Sequence, residues 1–381
     1  MILSYWENQT YFNKIDLVVV GSGIVGLNAA ISYKTKFPKN KVLVIERGIL
    51  PNGASTKNAG FCCFGSVSEL ADDIANMHED SVWQTVYLRY KGLKNLRKII
   101  GDKNMSYQQL GGYEVFDTKN DFEANADLIS SFNKKMKDIV GLKGVYEIDT
   151  DKIKQSQFTG FKYCIKNNYE GQINTGQMMQ TLLNKAYRVG VIILNNMEIT
   201  KIKDNKNEVD ISFINNFSIK SKKIIVATNG FAKQLLPTLD VKPARAQVLV
   251  TSPIKNLKVE GAFHYQQGYY YFRNIDDRVL FGGGRNLDFK GEETTDMQLT
   301  KIIQNKLEHI LKEHILPKYN YTIDKRWSGI MGVGSEKKPI IKHTSKNVIC
   351  AVRMGGMGIA ISSLVGQMAV KELIQNKYEK K

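Results

Sequence analysis

Cysteine and histidine are scarce in this 381-residue chain, at four and five residues, and neither is spaced for a familiar use. No CxxC occurs. Cys62 and Cys63 are adjacent, cannot easily bridge each other, and suggest free thiols in a reducing cytoplasm rather than a disulfide framework. His309 and His314 lie five apart, so they do not share a helix face. Residues 309–314 match neither HExxH nor HxxEH, and no metal site is expected. No apolar run approaches the ~18 residues of a membrane span. The opening residues, with Glu7, Asn8, Gln9 and Asn13, lack the basic and apolar regions of a signal peptide. Internal repeats and low-complexity tracts are absent as well. Arginine is also sparse, ten of 54 basic residues. The net charge of +17 therefore rests on dispersed lysine, which makes a solvated surface and does not by itself call for a nucleic-acid partner.

What the chain does have is concentrated near its start. Ile15–Val20 is a short apolar run that reads as a buried strand, and it leads into Gly21, Gly23 and Gly26. A helical pattern follows over 27–33. In such a unit Gly21 permits the tight turn, Gly23 lets backbone amides approach a pyrophosphate, and Gly26 lets helix and strand pack closely. Phosphates would sit on the helix N-terminus, where unpaired N–H groups and the dipole favour negative charge. A second apolar strand, 41–45, ends at Glu46, where this fold places an acidic side chain for the adenosine ribose. The complete strand–glycine loop–helix–strand–acid unit predicts a bound dinucleotide.

At this length the chain can hold two domains, each with its own core. After a small polar stretch at 53–60, residues 69–100 and 121–140 read as helical, with a turn and short strand at 111–116 between them. A helix over 175–189 follows, then strands between 191 and 219 and a buried strand over 223–230. Residues 243–284 are strand-rich and aromatic, 294–316 helical and 327–339 glycine-rich. A strand over 347–351 then precedes a last helix, 359–376, opened by Arg353, Met354, Gly355, Gly356, Met357 and Gly358.

The order of these landmarks resembles the flavin-dependent amine and amino-acid oxidases related to D-amino-acid oxidase, glycine oxidase and monomeric sarcosine oxidase. Four segments carry the resemblance: 20–26 with Glu46, 54–60, 224–230, and 355–358 with the helix after it. It implies an α/β fold. A Rossmann-like FAD-binding domain would be assembled from 1–75, 145–240 and 320–381. An interleaved mixed-sheet substrate domain would use 76–144 and 241–319, its sheet forming a roof over the flavin. Non-covalent FAD would be held by Gly21, Ser22, Gly23, Ile24, Val25, Gly26, Glu46 and Arg47. Further contacts would come from Ala54, Ser55, Thr56, Asn58, Ala59 and Gly60, and from Ala227, Thr228, Asn229 and Gly230. Arg353, Gly355, Gly356, Met357, Gly358 and Ile359 would lie against the ring or ribityl chain.

The chemistry implied is hydride loss from a carbon bearing an amine, giving an imine that hydrolyses. It needs neither metal nor nucleophile, only a positioned C–H, a neutral amine and excluded water. Pocket candidates lie among His264, Tyr265, Tyr269, Tyr270, Tyr271, Phe272 and Arg273. Strand alternation puts Tyr269, Tyr271 and Arg273 on one face, Tyr270 and Phe272 on the other. Where the amino-acid oxidases carry an arginine for the substrate carboxylate, this chain has Met331. Methionine cannot replace a bidentate Arg–carboxylate pair. Arg285, Arg273 and Arg353 are the available substitutes, Arg285 because it follows a strand close to substrate in the family. The expected partners are a small amine substrate and oxygen or another electron acceptor. Two alternatives stay open: an oxidase acting on a carboxymethylaminomethyl wobble uridine of tRNA, and a flavoprotein without amine oxidation.

Overall fold

The computed structural model describes residues 2–375. Two eight-stranded sheets organise them. The first, central sheet has five parallel strands in the order Val348–Val352, Ser218–Val226, Ile15–Val20, Val42–Ile45 and Ile192–Leu194. Ile340–Ser345 adds an antiparallel edge beside Val348–Val352. The hairpin Ile199–Asp204 and Val209–Phe213 pairs with the long strand Ser218–Val226. Val, Ile and Leu dominate the inner parallel strands because both sheet faces are covered. On one face lie the helices Ile24–Lys36, Glu79–Ile100, Thr175–Arg188 and Gly358–Gln375, and on the other the apolar side chains of the hairpin region. The last helix packs on the first through Gly366, where a Cβ would lie 2.6 Å from the Val25 carbonyl oxygen.

The second sheet runs in the order Ile323–Val333, Lys242–Thr251, Arg278–Gly283, Tyr270–Ile275, Ala262–Tyr265, Gly112–Phe116, Tyr163–Asn167 and Tyr146–Ile148. Only the Ala262–Tyr265 and Gly112–Phe116 pair is parallel. Period-2 alternation gives it two distinct faces. Phe263, Phe272, Phe281 and Leu249 are opposite one another in register and bury outward against Lys301–Ile310. Glu114, His264, Tyr271, Gly282, Val248 and Trp327 form the corresponding row on the inner face. A short ribbon, Phe61–Cys62 with Gly171–Gln172, lies between the sheets.

Several local expectations need correction. Residues 146–167 and 323–333 contribute strands to the second sheet, although the resemblance implied that both stretches belong to the FAD-binding domain. The glycine-rich stretch 327–339 is part strand, ending at Val333. Gly329 and Gly332 sit in the strand Ile323–Val333, where a Cβ would come 2.9 Å from Lys57 Cβ and 2.6 Å from Asn229 Oδ1. The helix expected over 294–316 begins at Lys301, because Thr294 and Asp296 turn their side chains onto the amides of Asp296 and Gln298. The stretch 121–140 is two helices, Lys119–Ala126 and Ile129–Val140. The strand expected over 223–230 stops at Val226 and is followed by the short 3-10 helix Asn229–Gln234. The last helix is described to Gln375; Asn376 lies outside the described residues. All four cysteines are free and buried.

Candidate functional site

Three parallel strands end side by side at Val20, Val226 and Val352, so the loops that follow them converge at one edge of the central sheet. Gly21, at φ +101°, turns the chain with its Cα facing the Ala227 carbonyl. Gly26 is forced by packing, since a Cβ there would lie 1.9 Å from the Gly21 carbonyl oxygen. The Ser55 hydroxyl accepts from the Ile24 amide at 2.9 Å, bringing 54–60 over the start of the first helix. Asn229 Oδ1 accepts from the amides of Arg353 (3.1 Å) and Met354 (3.2 Å), and the Gly355 amide donates to the Gly332 carbonyl at 3.1 Å.

Between these loops and the inner face of the second sheet lies one cavity of about 710 Å³. Among the residues expected to hold a cofactor, Gly21, Gly23, Ile24, Val25, Glu46 and Arg47 line its first end. Ala54, Ser55, Asn58, Ala59, Ala227, Thr228 and Asn229 line the cavity as well. Gly355, Gly356, Met357, Gly358 and Ile359 line its other end. The rest support this wall from behind. Ser22 gives its amide (3.1 Å) and hydroxyl (2.8 Å) to Glu46 Oε2. Thr56 donates to the Pro51 carbonyl at 2.7 Å, and Gly230 packs on the Met331 carbonyl. Gly60 lies against the Arg273 guanidinium. Arg353 is held in an ion pair with Asp240 at 2.5 Å, which removes it as a free substrate anchor.

The cavity suits an extended dinucleotide such as FAD. One end offers a helix N-terminus, the Glu46 carboxylate and the Arg47 guanidinium stacked 3.8 Å over the Phe231 ring. Thr228 Oγ1, in its wall, is buried without a hydrogen-bond partner among the described residues, a polar atom placed for a ligand. The other end is bare backbone at Gly355 and Gly356, both with positive φ, in a cavity that aromatic side chains also line.

That aromatic wall is the second sheet. His264, Tyr269, Tyr271 and Arg285 line the cavity, with Phe61 edge-on to both His264 (5.2 Å) and Tyr271 (5.7 Å). Burial pushes the Tyr271 hydroxyl up to about 12, so it stays protonated. Burial also pushes His264 below the usual imidazole value, opposed by the Glu69 charge. Tyr270 and Phe272 bury in the outer core, in line with the alternation, whereas Tyr265 on the outer face bonds Asp117 at 2.8 Å. Arg273 departs from expectation. It shares a strand face with Tyr271 but does not line the cavity; it donates to the Ile173 carbonyl at 2.9 Å beneath Gly60. Arg285 follows the strand Arg278–Gly283, lies over the Phe289 ring at 4.7 Å, and has no acidic partner among the described residues. Burial lowers its pKa from the ordinary value, yet a guanidinium keeps its charge. Met331 also lines the cavity, close to Gly356.

No local motif marks Glu69 and Lys337, which line the same cavity. Ser66 and Glu69 read as an ordinary helix start. In the fold Glu69 pairs with Arg89 at 3.3 Å and Lys337 at 3.5 Å, while Lys337 also reaches Asp73 at 2.5 Å. Burial would raise the Glu69 carboxyl, but the Arg89 and Lys337 charges win and hold it at about 2. No helix of the described residues is long and apolar enough to cross a membrane.

A family model described as FAD dependent oxidoreductase, DAO, matches residues 16–372. No curated protein matches significantly. Solved structures resemble the chain over nearly its whole length. L-proline dehydrogenase from P. horikoshii is 17% identical with a TM-score of 0.75, covering 96% of this chain and 95% of that one. Glycine oxidase from Bacillus cereus is 16% identical with a TM-score of 0.72, covering 96% of each chain. Iminodiacetate oxidase from Chelativorans sp. BNC1 is 17% identical with a TM-score of 0.74, again covering 96% of each. At these identities the likeness shows a shared fold.

Proposed function

The chain belongs to the DAO family of FAD-dependent oxidoreductases, and we propose that it oxidises the C–N bond of a small, carboxylate-bearing amine. The observation that carries this reading is Arg285: a cation without an acidic partner, set in the aromatic wall of the same cavity that the glycine loops enter. The solved structures that share the fold include enzymes named for amino acids and an iminodiacetate, which supports that substrate class.

In this reading the central sheet and its loops bind FAD and the second sheet binds substrate. The free amides at the start of Ile24–Lys36 hold the diphosphate, Glu46 the ribose, and 355–358 the ring. Cys62 and Cys63 do not line the cavity, which supports a non-covalent cofactor. FAD supplies a hydride acceptor at N5, and oxygen or another acceptor restores it. The protein's own part is to grip, orient and dry. Arg285 binds the carboxylate, Tyr269 and Tyr271 wall the apolar body of the amine, and the sheet above excludes bulk water. Four free, buried cysteines support a cytoplasmic location.

An anaerobic flavin-reduction screen against amines, N-methyl amino acids and D-amino acids tests this. At least one carboxylate-bearing amine should bleach the flavin. Arg285→Gln should weaken that substrate on the order of 100-fold, about 3 kcal/mol for a lost charge-assisted pair, with FAD retained. A flavin that dithionite reduces but no amine does would overturn the reading.

A further inference from the structure

At the cavity wall and behind it, three segments distant in sequence bring together a set of donors that the oxidation does not use. Cys63 follows the ribbon strand Phe61–Cys62, Glu170 precedes its partner Gly171–Gln172, and His264 descends on them from the second sheet. One donor atom from each, a thiol sulfur, a carboxylate oxygen and an imidazole nitrogen, lies within 4.8 Å of the others. The residues are 1%, 1% and 6% exposed. His264 Nε2 is buried without a hydrogen-bond partner among the described residues, an expensive state for an imidazole.

We propose that Cys63, Glu170 and His264 form a binding site for a divalent cation of zinc-like softness, which ties the ribbon to the sheet above it. One sulfur, one nitrogen and one oxygen donor are the set that zinc accepts and that magnesium or calcium does not. A tetrahedral zinc ion separates its donors by about 3.3–3.8 Å, so the three need close by only about 1 Å. Thiolate and carboxylate together cancel the ion's two charges, and the buried assembly is neutral. Glu170 is already oriented: its Oε1 accepts from the amides of Phe64 (2.7 Å) and Gly65 (3.1 Å), and Gly112 leaves the space that Oε2 fills. Such outer bonds fix a metal-ligating carboxylate in place. His264 also lines the cavity, which gives the ion a route inward. Spacing motifs cannot reveal this site, because its ligands come from positions 63, 170 and 264.

The FAD-loaded protein, stripped of metal with a chelator, is titrated with Co²⁺ and then Zn²⁺. One equivalent of Co²⁺ should bind, with tetrahedral d–d bands to the red of the flavin absorption, and Zn²⁺ should displace it and raise the thermal midpoint. Cys63→Ser and His264→Gln, checked for retained flavin, should each lose that equivalent. Zinc-edge X-ray absorption of the wild-type protein should show one sulfur at about 2.3 Å, independently of how the variants fold. Absence of stoichiometric binding by the wild-type protein, a shell without sulfur, or unchanged cobalt bands in Cys63→Ser would overturn the site.

Discussion

Gly26→Ala is the sharpest probe of the cofactor end. A Cβ at this position would lie 1.9 Å from the Gly21 carbonyl oxygen and 3.3 Å from a Val19 methyl. Ordinary contact begins near 3.4 Å, so helix and loop have to separate by about 1.5 Å. Neither is free to move. Gly21 donates its amide to the Ile45 carbonyl at 2.8 Å, and Ile24, Val25 and Leu27 of the helix are buried in the core. Overpacking against side chains costs about 1–3 kcal/mol, and against a backbone carbonyl the upper end applies. The same separation displaces the amides that would hold the diphosphate. Thermal unfolding of the apoprotein should therefore show a loss of about 3 kcal/mol. FAD titration should show an affinity lower by at least roughly tenfold, or about 1.4 kcal/mol. Gly176→Ala is the control: it lies within Thr175–Arg188, its nearest neighbour would be 3.4 Å away, and it should be neutral or stabilising by up to about 1 kcal/mol. A Gly26→Ala protein that binds FAD normally and unfolds like wild type would refute the reasoning.

Three other outcomes follow from the geometry. The Glu69 carboxyl is held at about 2 in the fold against 4.5 in the free side chain, so its stabilisation is complete above pH 4.5 and is lost as pH falls toward 2. That difference is on the order of 3 kcal/mol, and Glu69→Gln should flatten acid unfolding between pH 5 and 2 while lowering stability at pH 7. Glu292 accepts from Arg245 Nε and Nη2 at 2.8 Å each, almost fully buried; Glu292→Gln should cost about 3–5 kcal/mol in unfolding assays and, by loosening the segment after Arg285, raise KM more than it lowers kcat. Gly282→Ala would set a Cβ 2.7 Å from the Tyr271 ring and push it into the cavity, so stopped-flow reduction by substrate should slow while flavin content stays unchanged.

Legibility in the sequence tracked locality. The opening strand–loop–helix–strand unit was readable because its spacing is a property of a few neighbouring residues, and the Tyr269–Arg273 alternation was readable because a strand has period 2. The same alternation misled at Arg273. It gives the face but not the position along the sheet, and Arg273 sits one step past the cavity edge, under Gly60. The strand Ile323–Val333 was hidden because its glycines answer to Lys57 and Asn229, which approach from other segments. Glu69 with Lys337, and Cys63 with Glu170 and His264, are partnerships across 100 residues or more that no local pattern encodes.

The central claim is that one FAD molecule stretches from the first glycine loop to Gly355–Gly358 under the second sheet. Flavin content after native purification and after reconstitution of the apoprotein, with ADP as competitor, tests it most directly. One FAD per chain, displaced competitively by ADP, is the predicted result; a chain that retains no flavin by either route would contradict it.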